Sequence, residues 1–576
     1  MCGIAGILLK KPNKEIKNQF LKISKDLSHR GPDASEKFED EKQAFIHTRL
    51  SIIDLEGGNQ PIKNNHLVLV ANGEIYNDHD IRAKFHNYNF KTKSDSESIM
   101  AIYSNEGLVG LKKLRGMYAF ALYDKQKKIT ILSRDIFGIK PLYFHQFQSG
   151  FLFSSEIKAI RNLNFVKKKI DKDKLLEHLE LQYSSGKKTI FKNIYRVRPG
   201  EILVIENGKI KKSILQHLPI EKKKTYKINH NLLEKKLKES VSVHLRSDVP
   251  YCLFFSGGID SMLIMYLMQN LDLDKKIEAY KVNIIEKEKP DNHLLKKISQ
   301  EYRIQFNEID FTEEDFWKTI PFAAKHIDEP VADYAILPTF KLAEEASKNF
   351  KVAITGEGGD ELFGGYGRYR SQNFFFKKKK FFKGTFRKFK NFNKNYWKFE
   401  TNQNFVESLD LTAIQKHQYF DYINWLPNDL LVKLDRCLMT YGMEGRTPLV
   451  DKKLFESFFC INDKYKINRG FGKFLIRDFL DKKVKYYNSF KKKEGFTIPI
   501  YNWIPKKSKQ LEEILPKSDI LRYFFTKDEI IELCRSSRFN KKNVKALWHM
   551  IFITAWYYVV CKKEKIKGNF FEIIRS

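Results

Sequence analysis

Short apolar runs punctuate the first 200 positions: Ala44 to Ile53, Leu67 to Val70, Met117 to Tyr123, Ile129 to Ser133, Phe151 to Ser154 and Glu201 to Ile205. Runs of this length between turn residues predict β-strands, so the first part of the chain reads as a strand-rich domain with a few helices. Around Glu221 to His230 the sequence EKKKTYKINH carries no apolar period and marks a linker. Beyond it the pattern changes. Leu232 to Leu245 has helical spacing, Val249 to Phe255 is strand-like, and Met262 to Leu271 is helical again. Further strand-like pieces at Ala279 to Ile285 and Val352 to Thr355 follow helix-length segments. Such alternation predicts a parallel sheet with ligands at the carboxyl ends of its strands. From about Asp421 onward the pattern is mainly helical. The longest apolar run, Leu547 to Val560, includes His549 and Thr554, is too short to cross a bilayer, and predicts a buried helix.

The chain has 576 residues, of which 42% are hydrophobic and 14% aromatic, which excludes a disordered or collagen-like polymer and leaves room for more than one core. Lys and Arg number 104 against 70 Asp and Glu, a net charge of +34. That excess first suggests an anionic partner. Only 21 of the cations are Arg, however, so most of the charge is ammonium, not the planar fork that reads phosphates and bases. The six cysteines show no metal-ligand or disulfide spacing, and the apolar stretch after Met1 meets Lys10 and Lys11 too soon for a signal peptide. A reducing, cytoplasmic compartment and no membrane are the expectation.

Cys2 directly follows the initiator. Removing Met1 would place a thiol and a free α-amine, which titrates at about 8, on one residue, so nucleophile and base come together. Five further blocks accompany it: HRGPD at His29 to Asp33, HTRLSIID at His47 to Asp54, NGEIYN at Asn72 to Asn77, SDSE at Ser94 to Glu97, and RDIFGIKPLY at Arg134 to Tyr143. With MCGIAGI they resemble the glutaminase domain of class II glutamine amidotransferases, the N-terminal nucleophile type. The resemblance implies an αββα sandwich, with Cys2 attacking the glutamine amide and Asn72 and Gly73 stabilising the oxyanion. It further implies a glutamine site of Arg49, Leu50, Ile53, Asn72, Gly73, Glu74 and Asp95. There Arg49 would grip the α-carboxylate, and Glu74 and Asp95 the α-ammonium.

In the second half, the strand-like run Val249 to Phe255 enters Ser256-Gly257-Gly258-Ile259-Asp260-Ser261 and then a helix. Glycines at a strand-to-helix turn let backbone N–H groups face an anion at a helix N-terminus. The loop resembles that of the ATP pyrophosphatases, which split ATP into AMP and pyrophosphate. A second loop, GEGGDELFGGY from Gly356 to Tyr366, is rich in acids that would repel phosphates without a cation between them. Mg²⁺ on Asp260 and Asp360 is the simplest arrangement. With DEPVAD at Asp328 to Asp333, LVKLDR at Leu431 to Arg436, EGRTPLVD at Glu444 to Asp451 and KKKEGFTIP at Lys491 to Pro499, this half resembles the glutamine-hydrolysing asparagine synthetases.

The expected architecture is therefore a two-domain α/β protein. A glutaminase sandwich over 1–215 and a linker over 216–230 precede an ATP-pyrophosphatase-type domain over 231–576, which has a parallel sheet and a helical C-terminal part. The resemblance implies glutamine, aspartate and ATP as substrates. Phe255, Ser256, Gly257, Gly258, Asp260, Ser261, Val282, Thr355 and Gly356 would bind ATP, with Glu357 and Lys493 catalytic. Four positions depart from the family's usual residues: Thr355 for Ser, Phe255 for Leu, Lys491 for Arg, and Asn292 for an acid. An amidotransferase of the same architecture acting on another carboxylate, such as a sugar or secondary metabolite, is the alternative. A nucleic-acid role is disfavoured and confines itself to Arg368 to Lys398, which holds 12 basic residues, interleaved aromatics and no acid. A homodimer stays open.

Overall fold

The computed structural model describes residues 2–221, 228–271, 276–286, 293–371, 381, 384–386, 402–491 and 498–575. Lys493, Asn292, most of Arg368 to Lys398 and residues 222–227 of the linker lie outside them.

The first domain contains twelve strands: β1 (Cys2–Leu9), β2 (Ala34–Glu39), β3 (Gln43–Arg49), β4 (Ile62–Lys63), β5 (Leu67–Ile75), β6 (Gly116–Asp124), β7 (Ile129–Arg134), β8 (Tyr143–Phe147), β9 (Gly150–Ser154), β10 (Tyr195–Arg196), β11 (Glu201–Glu206) and β12 (Lys209–Leu215). They form two six-stranded sheets, ordered β10-β8-β9-β1-β3-β2 and β12-β11-β7-β6-β5-β4. Every residue of β1 is buried, because the strand is central in its sheet and covered on both faces. Ile4, Leu8, Phe45 and Phe153 of one sheet meet Val68, Val70, Ala119 and Ala121 of the other. Outside, the helix Glu97–Leu111 covers the second sheet. The helices Lys14–Leu21 and Ile157–Arg161 lie against the first, and Lys172–Leu181 packs on the helix Lys541–Trp556. Helix, sheet, sheet and helix are the expected αββα layers.

After β12, the helix His230–His244 opens the second domain. Its sheet contains β13 (Tyr251–Phe254), β14 (Ile277–Ile284), β15 (Ile304–Phe311), β16 (Val352–Ile354) and β17 (Glu444–Arg446), all parallel, in the order β15-β14-β13-β16-β17. In chain order this is 3-2-1-4-5, so the direction of winding reverses between β13 and β16. The loops leaving those two strands flank the switch point, where open α/β sheets bind ligands. Strands β15 and β17 escape the apolar pattern. The former, IQFNEIDF, is an edge strand with a half-wet face, and the latter, EGR, is charged and wholly buried.

The helix Lys541–Trp556 continues as a π-turn to Cys561, so it is longer than the apolar run alone and long enough to cross a bilayer. Its most apolar window is 83% buried inside the protein, which agrees with a core helix.

Packing joins the domains. Leu50, Ile52, Tyr76, Met117 and Phe137 share one apolar cluster with Leu233, Val241 and Phe455. Buried ion pairs cross the same boundary: Arg30 with Asp435 at 2.8 Å, Arg436 with Glu156 at 2.5 Å, and Arg115 with Asp451 at 2.8 Å. Removing one member of such a pair costs about 3–5 kcal/mol, because the survivor is left charged and dry. The relative placement of the two domains is thus specified by charge as well as by apolar area.

Candidate functional site

The register of β1 against β3 sets Cys2 opposite Arg49. Across the sandwich, β5 brings Asn72 to the same place: the backbone N of Cys2 donates to Asn72 Oδ1 at 3.0 Å. This bond orients the amide, and Asn72 Nδ2, on a side chain with 0% exposure, has no hydrogen-bond partner among the described residues. An unpartnered buried donor beside a thiol is the group an oxyanion requires. Gly73 has φ +143, and a Cβ there would stand 1.9 Å from Met117 O, so only glycine lets β5 run so close to β6 at this point. Burial raises the Cys2 thiol pKa, with the positive chain terminus and a Leu50 backbone bond pulling the other way.

Glu74 and Asp95 lie beside this pocket. Burial and then the Asp95 charge push Glu74 well above the usual carboxylate range, although Arg446 pairs with it at 3.2 Å. Burial also lifts Asp95 to about 6, against the backbone N–H of Ile75 that donates to it at 2.5 Å. Two buried acids, one of them raised further by the charge of the other, form a place where an ammonium would be stabilised. Arg49 braces the loop after β3: its terminal nitrogens donate to Asn59 Oδ1 at 2.7 Å and to the carbonyls of Asp54 at 2.6 Å and Leu55 at 3.1 Å. Leu50 is buried and Ile53 half-buried along the same loop.

The second site lies at the switch point. After β13 the chain turns through Ser256 and Gly257, the latter at φ +74 with open space where a side chain would be. The Ser256 and Ser261 hydroxyls hold the turn at 3.1 Å from one another, and Gly258 N donates to Ser256 Oγ at 3.3 Å. The helix Ile259–Leu271 then begins, carrying Asp260 in its first turn. The loop after β16 packs directly on that carboxylate: a Cβ at Gly359 would fall 2.2 Å from Asp260 Oδ1. Glycine in GEGGD therefore permits the two acidic loops to interlock.

Asp260 and Asp360 do come together, and the atom between them is the ammonium of Lys473. It contacts Asp260 Oδ2 and lies 2.8 Å from Asp360 Oδ1. Burial disfavours the Lys473 charge, but the two acids overcome it and raise its pKa. No motif pointed to Lys473, which enters from the start of the helix Phe474–Lys483 with φ +55. Two carboxylates meeting at one point suit a Mg²⁺ ion that also takes phosphate oxygens, so the donor set fits the expected metal. Among the described residues there is no group of three His, Cys, Asp or Glu side chains that could hold a metal by itself.

Thr355 is buried, with N donating to Arg446 O at 2.9 Å. Phe255 turns its ring inward onto Phe306, centroid to centroid 5.0 Å, and Val282 is buried in the core. The Phe255 ring therefore belongs to the core, and Val282 is covered as well. Gly356 follows Thr355 against the Asp260 backbone, and Glu357 is half-exposed beside Lys433, 3.7 Å away. Arg368, the first residue of the basic aromatic stretch, is bound to Asp421 at 2.8 Å inside the chain.

Between the two sites runs the helix Leu431–Met439, which the LVKLDR motif opens. Asp435 holds Arg30, and Arg30 Nε donates to the carbonyl of Cys2 at 3.2 Å. From the same helix Lys433 reaches Asp333 and Glu357.

Known proteins extend this picture over nearly the whole chain. Residues 1–216 match the glutamine amidotransferase domain family, and 232–558 match the asparagine synthase family. The chain is 29% identical to glutamine-hydrolyzing asparagine synthetase 1 of Bacillus subtilis, over 98% of both chains. It is 27% identical to glutamine-hydrolyzing asparagine synthetase B of Escherichia coli, over 88% of this chain and 83% of the relative. To glutamine-hydrolyzing asparagine synthetase 3 of Bacillus subtilis it is 27% identical over 84% of each. With a nucleophile pocket in its first domain, an acid-lined switch point in its second, and more than half its length matched by one family, the chain belongs to the asparagine synthase family.

Proposed function

We infer that the protein is a glutamine-dependent asparagine synthetase: it hydrolyses glutamine, activates aspartate with ATP, and joins the released ammonia to the activated carboxyl. The observation that carries the first half is the unpartnered, buried Asn72 Nδ2 beside Cys2. In the mature chain the nitrogen held by Asn72 Oδ1 is the α-amine, which takes the thiol proton as sulfur attacks the glutamine amide carbon. Asn72 Nδ2 and Gly73 N–H receive the oxyanion. The amine returns the proton to the leaving ammonia, and water then releases glutamate from the thioester. Glu74 and Asp95 hold the α-ammonium of glutamine, and Arg49 with the loop it braces receives the α-carboxylate.

In the second site the Ser256–Ser261 turn and the Lys473 ammonium receive the pyrophosphate end of ATP. Gly356 and the backbone at Phe255, with Val282 behind it, bound the nucleoside side, while the Thr355 hydroxyl orients the strand end. The side-chain carboxylate of aspartate attacks the α-phosphorus, pyrophosphate leaves, and ammonia displaces AMP from the acyl carbon. Mg²⁺ held by Asp260 and Asp360 would neutralise phosphate charge as pyrophosphate departs. Glu357 assists at the acyl intermediate in this reading, and Lys493 stabilises charge there. A cytoplasmic location goes with this reading.

The test is a product assay with glutamine, ATP, Mg²⁺ and aspartate. Asparagine, glutamate, AMP and pyrophosphate in equal amounts are expected. Pyrophosphate released only with a different carboxylate would overturn the choice of acceptor, and ADP in place of AMP would overturn the chemistry.

A further inference from the structure

Two members of one ionic cluster of the synthetase cleft, Lys433 and Asp333, have no task in the reaction just described. Lys433 Nζ donates to Asp333 Oδ2 at 2.9 Å and lies 3.7 Å from Glu357 Oε1. Its side chain is 6% exposed, whereas those of Asp333 and Glu357 are 13% and 29% exposed. The ammonium is therefore set into the wall, with two acids between it and solvent. Burial works against its charge, and Asp333 and Glu357 more than reverse that, so the lysine stays protonated. Deeper in the wall, Asp429 takes the Gln182 amide on Oδ2 at 2.7 Å, while its buried Oδ1 has no partner among the described residues. Burial and the nearby Asp333 charge raise the Asp429 pKa.

The cluster continues the row of charges at the phosphate end. Glu357 feels the charges of Lys433 and Asp333 on one side and of Asp360 and Asp260 on the other. Glu357 is thus common to two groups of charges, Asp260, Asp360 and Lys473 in one and Lys433 and Asp333 in the other. A buried ion pair that served only as a strut would gain little over an apolar contact. It would also have no need of a buried acid left unsatisfied behind it. A buried cation among several acids, two of them partly exposed, is instead suited to a ligand that brings both charges.

We propose that Asp333 and Lys433 form the recognition site for the α-amino-acid head group of the acceptor. Building on the synthetase reading, the α-ammonium of the acceptor binds Asp333 and its α-carboxylate binds Lys433. The side-chain carboxylate then points past Glu357 toward the α-phosphorus. The pair exchanges its internal partner for the two ends of a zwitterion, so no net charge is buried. A dicarboxylate without the ammonium leaves Asp333 unpaired and is rejected, which separates an amino-acid acceptor from a sugar acid or a plain diacid.

The test uses ammonia as nitrogen donor, so that the glutaminase site is not involved, and follows pyrophosphate release with aspartate and with succinate. In Asp333→Asn and in Lys433→Met the KM for aspartate is expected to rise about 100-fold while the KM for ATP stays within about threefold. The preference for aspartate over succinate should fall by about tenfold or more in Asp333→Asn. Equal rises in both KM values, or an unchanged preference, would overturn the proposal and leave the pair a strut. Circular-dichroism melting checks folding. Should either variant fail to fold, Asp333→Glu and Lys433→Arg keep the charge but displace it, and a rise of about tenfold confined to the aspartate KM supports recognition. A wild-type enzyme silent with aspartate would instead sink the synthetase reading itself, a result distinguishable from variants with unaltered selectivity.

Discussion

The two sites are built on opposite plans. The glutaminase pocket sits on long antiparallel strands, where Cys2, Arg49, Asn72 and Gly73 are held by ladder register on β1, β3 and β5, and its polar groups are almost wholly buried. The synthetase cleft sits on loops that leave short parallel strands, and its acids are partly exposed and balanced by lysines arriving from distant helices. A covalent step requires one nucleophile and one oxyanion donor placed to a fraction of an ångström, which strands provide. A phosphoryl-type step requires charge neutralised over a larger volume, which loops and long side chains can adjust. The difference teaches that this chain separates rigid from adaptable chemistry by secondary structure.

Four changes would break or sharpen that contrast. Replacing Cys2→Ala should abolish glutamine-dependent synthesis, by about 10³-fold or more, and leave synthesis from free ammonia. Product assays with each nitrogen source decide it, and loss of both activities would mean that the pocket and the cleft are not separable. Asp260→Asn should lower pyrophosphate formation by about 10²-fold while glutamine hydrolysis continues. Equal damage to both, measured side by side, would contradict separate sites.

Lys473→Met tests the cleft's charge balance. Asp260 and Asp360 would then repel each other, and because both are partly exposed the cost should be about 2 kcal/mol, below that of a wholly buried pair. A melting curve should show the loss, and added MgATP should restore part of it. No change in the midpoint would refute the clamp.

The smallest effect concerns pH. Burial raises the Asp95 carboxyl from 3.8 to about 6 in the folded chain. A raised carboxyl favours the folded state at low pH, and that contribution is lost as pH rises from about 4 to about 6. Above 6 the ionised group can hold the glutamine α-ammonium, so the KM for glutamine should fall severalfold between pH 5 and 7. Asp95→Asn should flatten this profile. A profile unchanged by the substitution would remove Asp95 from the glutamine site.

Much of this arrangement was legible in the chain itself. The runs at Ala44, Leu67, Met117, Ile129, Phe151 and Glu201 each correspond to an observed strand, because alternating or continuous burial leaves an apolar trace at strand period. Asp260 and Asp360, read from the two loops as metal ligands, both stand against the Lys473 ammonium. What escaped was carried by polar residues in buried places. Strand β17 is Glu-Gly-Arg, and Lys473 is 213 positions from the acid it contacts. Phe255 is expected among the ATP-binding residues, and the structure shows its ring packed on Phe306, a contact that the loop motif does not reveal.

The sequence by itself determined the chemistry: a thiol at position 2, glycine-rich turns after apolar strands, and acids where phosphate must be neutralised, all of which depend on residue type and local spacing. Only the tertiary structure decided which lysine answers which acid, and how Arg30, Asp435 and Lys433 place one helix between the two sites. Ion pairs impose no period on the chain, so their partners become visible only when folding brings distant segments within a few ångströms.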